Sequence, residues 1–139
     1  MRIIKKITFY ILHFTFYISL LGCVTKTVPV YAVVKTPEIK LADQGFLKEG
    51  FGYKQLIIYK DANIPVTITV KNSEICIRNS CMDKATFVKK YISKDYDTSF
   101  FDKLLEFKCP LGGVCKKNGN SVLFKDKKHK ILILLKKIN

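Results

Sequence analysis

The chain has 139 residues and a mass of 16.0 kDa, room for one ordinary domain. Its 25 Lys and Arg against 11 Asp and Glu give a formal net charge of +14, and 48% hydrophobic residues exclude a disordered chain. Two histidines, His13 and His129, leave little for His-dependent catalysis or His-rich metal sites.

The first 23 residues read MRIIKKITFYILHFTFYISLLGC. Arg2, Lys5 and Lys6 form a positive head, and residues 7–21 are largely apolar. This is the layout of a secretory signal peptide, too short for a membrane span. Leu20-Leu21-Gly22-Cys23 resembles the lipobox of bacterial lipoproteins. The resemblance implies cleavage between Gly22 and Cys23, so that residues 1–22 are removed. It also implies a covalent lipid, such as palmitate, on Cys23. Each buried CH₂ contributes about 0.8 kcal/mol, and one acyl chain alone binds only marginally, so two or three chains on one cysteine give lasting attachment. Removing the peptide lowers the net charge from +14 to +11. Val24 follows Cys23 where an Asp would resemble an inner-membrane retention signal. The expected location is therefore the periplasmic face of the outer membrane, ahead of the inner membrane.

Residues 23–43 are expected to be anchor and tether. Pro29 and Pro37 argue against helix, and twenty extended residues reach roughly 60–70 Å at about 3.3 Å each. Val28, Val30, Tyr31, Val33 and Val34 are apolar for a tether, so part of it could pack as an edge strand.

A single α+β domain is expected over 44–139. Residues 55–60 are rich in β formers, and Asp61-Ala62-Asn63 is turn chemistry. Ile64, Val66, Ile68 and Val70 alternate with a period of two; Pro65 starts that strand at an edge or bulge. Ile75 and Ile77 continue the meander. The period then lengthens. Ser80 to Asp83 has capping-box spacing before a helix over 82–93, striped by Ala85, Val88 and Ile92. Ser99 could cap a second helix carrying Phe100, Phe101, Leu104 and Leu105. Residues 109–115 read as a Pro/Gly loop, and Asn118-Gly119 as a hairpin. Strands are expected at 121–125 and 130–138. The last is apolar on both faces: Ile131, Ile133 and Leu135 on one, Leu132 and Leu134 on the other. It would be covered on both sides or line an apolar cavity. The expected fold is a small, curved, mainly antiparallel sheet of about five strands with two helices on one face.

With Cys23 assigned to lipid, Cys76, Cys81, Cys109 and Cys115 remain. An even count in an exported chain points to disulfides. Of three pairings, Cys76–Cys81 with Cys109–Cys115 is favoured because each pair flanks a turn. Zinc is disfavoured, because the spacers are longer than the two to four residues usual for paired ligands.

No catalytic motif occurs, and no cofactor or metal is expected. Asp95 and Asp97 lie in a polar linker, and His129 in a Lys-rich turn. Lys125, Lys127, Lys128 and Lys130 form the densest basic cluster, a candidate for an anionic surface. Only Arg2 and Arg78 are arginines, and an exported protein meets little nucleic acid, so nucleic acid is not an expected partner. The expectation is a non-catalytic envelope lipoprotein, anchored to the membrane, with a structural or assembly role toward another envelope protein or lipid. The alternative is a carrier or receptor for an apolar ligand or a lipoprotein, because the expected sheet with covering helices is similar to outer-membrane lipoprotein-sorting receptors. An enzyme is the least favoured class.

Overall fold

The computed structural model describes residues 6–12, 25–60 and 64–138. The lipobox, with Gly22 and Cys23, lies outside the described residues. Residues 6–12 are helical (α1), and their apolar side chains are exposed. No described helix is long and apolar enough to cross a membrane.

The expected five-stranded α+β fold is not what forms. The chain builds one nine-stranded antiparallel sheet with a few short helices. Its strands are β1 (Lys26–Lys35), β2 (Lys40–Gly50), β3 (Tyr53–Lys60), β4 (Ile64–Val70), β5 (Glu74–Ile77), β6 (Ser80–Asp83), β7 (Val114–Asn118), β8 (Ser121–Asp126) and β9 (Ile131–Lys137). Helices α2 (Lys84–Tyr91) and α3 (Phe100–Leu105) connect β6 to β7. The sheet order is β6-β5-β4-β3-β2-β1-β9-β8-β7. Two meanders thus meet at the centre, where β1 pairs with β9, Val30 opposite Lys137 and Lys35 opposite Leu132. The connection through α2 and α3 carries the chain from one sheet edge to the other.

The stretch expected to be a tether is therefore the middle of the sheet. The prolines that argued otherwise are accommodated by strand length. In an antiparallel ladder a residue's N–H and C=O point to the same neighbour. The Pro29 carbonyl accepts from the Ile138 N–H at 3.0 Å, so its missing donor also points toward β9, beyond that strand's last residue. Pro65 has the same solution. Thr67, two residues on, accepts from the Arg78 N–H at 2.8 Å, so Pro65 faces the β5 side, past the end of that short strand. Neither proline removes a ladder bond.

Alternation along the strands puts one face against the helices. Val30, Ala32 and Val34 of β1, Ile58 of β3, Ile68 of β4, Val122 and Phe124 of β8, and Ile131, Ile133 and Leu135 of β9 point inward and are buried. Phe87 and Val88 of α2 and Phe100, Phe101, Leu104 and Leu105 of α3 close over them in one cluster. The Phe100 ring meets Phe124 edge-on at 5.1 Å and Phe101 at 5.5 Å. Fully burying each such side chain contributes about 1.5–3 kcal/mol.

The α2 cap lies three residues later than expected. Ser80 opens β6, and Asp83 accepts from the Thr86 N–H at 3.1 Å. The hydroxyl of Ser99 makes no cap to α3; it donates to Asp97 at 3.1 Å instead.

Candidate functional site

Both disulfides take the local pairing, Cys76–Cys81 and Cys109–Cys115. Their placement is informative. Cys76 and Cys81 are directly opposed on β5 and the edge strand β6, while Cys109 ties the loop after α3 to Cys115 on the other edge strand, β7. Each sheet edge is thus held by a covalent bond. Both edge strands are short, and β7 carries Lys116 and Lys117, features that oppose edge-to-edge pairing. A partner that adds a strand therefore finds a poor template on either side. Glu74, Cys76 and Cys81 come close enough to suggest a metal group, but their two sulfurs are joined and have no thiolate to offer.

The face of the sheet opposite α2 and α3 carries the clearest surface feature among the described residues. An antiparallel sheet with one solvated face ordinarily alternates apolar-in with polar-out. Here cross-strand register builds an apolar row on the outside: Leu123 of β8 opposite Leu134 of β9, Leu134 opposite Val33 of β1, and Val33 opposite Ala42 of β2. A second row runs from Pro29 through Phe46 to Ile57. The Phe46 ring meets Tyr59 edge-on at 5.9 Å, and Tyr31, Phe46 and Tyr59 are 37%, 39% and 42% exposed. Lys35, Lys40, Lys116, Lys125 and Lys136 frame these rows. Leu132 and Leu134 open onto this face, half-buried, and not under the helices; Leu134 and Leu123 line a shallow cleft of about 420 Å³ there. A cleft of about 970 Å³ lies elsewhere, between the β1–β2 turn (Pro37 to Leu41), the β5–β6 turn (Ile77 to Ser80) and Tyr91, and no β9 residue lines it.

The basic cluster at Lys125, Lys127, Lys128 and Lys130 falls on the β8–β9 turn. That turn also holds the one close cluster involving the sequence-flagged His129 and Asp95. The His129 Nδ1 meets Asp126 at 2.6 Å, and its Nε2 meets Asp95 at 2.8 Å. Tyr96 donates to the same Asp126 carboxylate. Although His129 sits in a Lys-rich turn, its side chain is only 22% exposed. A protonated imidazole can donate to both carboxylates at once. Asp126, then Asp95, hold the His129 pKa above its ordinary value. Asp126 is held down to about 2, chiefly by the Tyr96 hydroxyl. The Tyr96 hydroxyl is itself pushed up, first by burial and then by Asp126. What the arrangement does is fasten the α2–α3 linker to the β8–β9 turn. Asp97 takes no part: it accepts from Thr98 and Ser99, which lower its pKa. Asp126 and His129 were legible as an i,i+3 pair, but Asp95 and Tyr96 join from about thirty residues away.

No protein-family model matches the chain, and no curated protein matches it significantly. The functional reading rests on its own residues.

Proposed function

We propose that the chain is an envelope lipoprotein, held by lipid on Cys23 and facing the periplasm at the outer membrane, with a non-catalytic binding or assembly role. The observation that carries this reading is the cysteine arrangement. Four cysteines form two disulfides, which an oxidising compartment permits, and neither bond requires the lipobox Cys23. The outer face supports the binding role. Apolar rows on a sheet face where polar residues would be ordinary, rimmed by lysines, suit a surface that meets a partner. The stapled, short edges point to the face, not the edges, as the surface used.

Intact-mass measurement of membrane-extracted protein, with and without reductant and beside Cys23→Ala, tests the anchor. The expected result is loss of residues 1–22 with added acyl mass, absent from the variant. An uncleaved chain without acyl mass would overturn the reading. For the binding role, a photo-crosslinking residue at Tyr31 should capture a defined envelope partner that the same residue at Ile64, off this face, does not.

A further inference from the structure

β1 starts at Lys26, three residues after Cys23, and no tether intervenes. At about 3.3 Å per residue, the anchoring sulfur lies no more than about 10 Å along the chain from the sheet. Lys26 is paired with Glu49, and the next residues of β2 lead into the β2–β3 turn, Phe51-Gly52. The tip of that hairpin therefore projects at the same end of the sheet as the anchor. Gly52 has φ 79°, the left-handed region that favours glycine, and the Tyr53 ring lies against the bare Cα of Gly50. Phe51 between them packs on nothing: it is 103% exposed, beyond every other large apolar side chain described.

A lone exposed aromatic is ordinary. The surroundings of this one are not. A cleft lined by Lys26, Lys54, Lys108 and Lys137 adjoins one lined by Gly50, Gly52 and Lys71, the two sharing Glu49, Lys54 and Glu106. Glu106 is bonded to Lys54 at 2.8 Å and to Lys108 at 3.1 Å, and Lys71 to Glu74 at 3.2 Å. Lys48 adds further positive charge at this end of β2. Lysines outnumber the carboxylates that face them.

We propose that the β2–β3 hairpin tip is a membrane wedge: Phe51 enters the headgroup–acyl boundary of an anionic bilayer while Lys26 and Lys48 meet lipid phosphates. The inference rests on the lipid-anchor reading above. An aromatic at this depth with a basic rim is the arrangement by which interfacial segments hold to anionic leaflets. It sets the domain end-on, with the strands rising from the membrane. The β8–β9 turn with Lys127, Lys128 and Lys130, and Ile64 at the start of β4, then lie at the far end, about 30 Å away for a ten-residue strand. The apolar outer face is left clear for its partner.

The chain has no Trp, so Phe51→Trp introduces a single reporter, with Ile64→Trp, 78% exposed in the native chain, as its distal control. The full lipidated proteins are reconstituted in vesicles of phosphatidylethanolamine and phosphatidylglycerol, with and without dibrominated acyl chains. Intact mass is read on the same samples. The expected result is blue-shifted emission from Trp at 51, quenched several-fold more by brominated lipid than Trp at 64. An acylated protein whose two reporters are quenched alike, or not at all, would overturn the wedge and leave the anchor standing. A sample without acyl mass would overturn the anchor reading and the wedge with it.

Discussion

Removing the disulfides one edge at a time should give two equal and independent losses. Cys76–Cys81 spans a sequence separation of 5 and Cys109–Cys115 a separation of 6. In the chain-entropy model, a closed loop of about six residues stabilises by about 2 kcal/mol, and one residue more changes this by only about 0.1 kcal/mol. The two bonds staple opposite edges of a nine-stranded sheet and share no contacts, so their effects should add. Cys76→Ala/Cys81→Ala and Cys109→Ala/Cys115→Ala are each expected to lose about 2 kcal/mol, and the fourfold variant about 4 kcal/mol. At an unfolding entropy of about 2.1 cal/mol/K per residue, each loss lowers Tm by about 8 °C for a chain of this size. Urea unfolding followed by circular dichroism measures it; the absence of Trp removes the usual fluorescence signal. A loss at one edge above about 4 kcal/mol, or a fourfold variant far less stable than the sum, would refute the reasoning. The edges would then be coupled through the fold, not stapled locally.

The His129 clamp predicts a pH dependence on both sides of neutrality. Its folded pKa is raised, so its stabilisation is complete below the unfolded value of about 6.5 and is lost as pH rises through the folded value. Asp126 works in the opposite sense: its contribution is present above about 3.9 and fades as pH falls toward its folded value of about 2. Urea midpoints from mildly acidic to alkaline pH should decline for the native chain and stay flat for His129→Gln; parallel curves would show that the clamp does not form. A Cβ at Gly45 would run into the Ile57 carbonyl on the neighbouring strand, so Gly45→Ala should destabilise by about 1–3 kcal/mol, and an unchanged urea midpoint would contradict the β2–β3 register. Leu104→Ala, under the sheet in α3 and 2% exposed, should cost about 2–5 kcal/mol, whereas Leu134→Lys on the opposite face should cost under about 1 kcal/mol yet reduce crosslinking at Tyr31.

The local grammar of the chain was legible because it depends on neighbours in sequence. The period-two alternation at Ile64, Val66, Ile68 and Val70 is β4, Asn118-Gly119 is the β7–β8 turn region, and the stripe of Phe100, Phe101, Leu104 and Leu105 is the buried side of α3. The pairing of cysteines across short turns was legible for the same reason. What sequence alone misjudged were features decided by distant partners. β1 carries Pro29 and looks like a tether, but it is the central strand because β9, roughly a hundred residues later, ends where the proline lacks its donor. The short β6 and β7 exist as strands only because β5 and β8 offer them ladders. Leu132 and Leu134 announced an apolar surface, but a strand cannot state which of its faces the helices will cover. His129 announced a titratable group, and only the fold brought Asp95 and Tyr96 to it. The sequence thus determined the local elements, which neighbouring residues specify. Tertiary structure alone decided the strand order, the face the helices cover and the end of the sheet that carries Phe51, because each depends on pairing between segments that share no local signal.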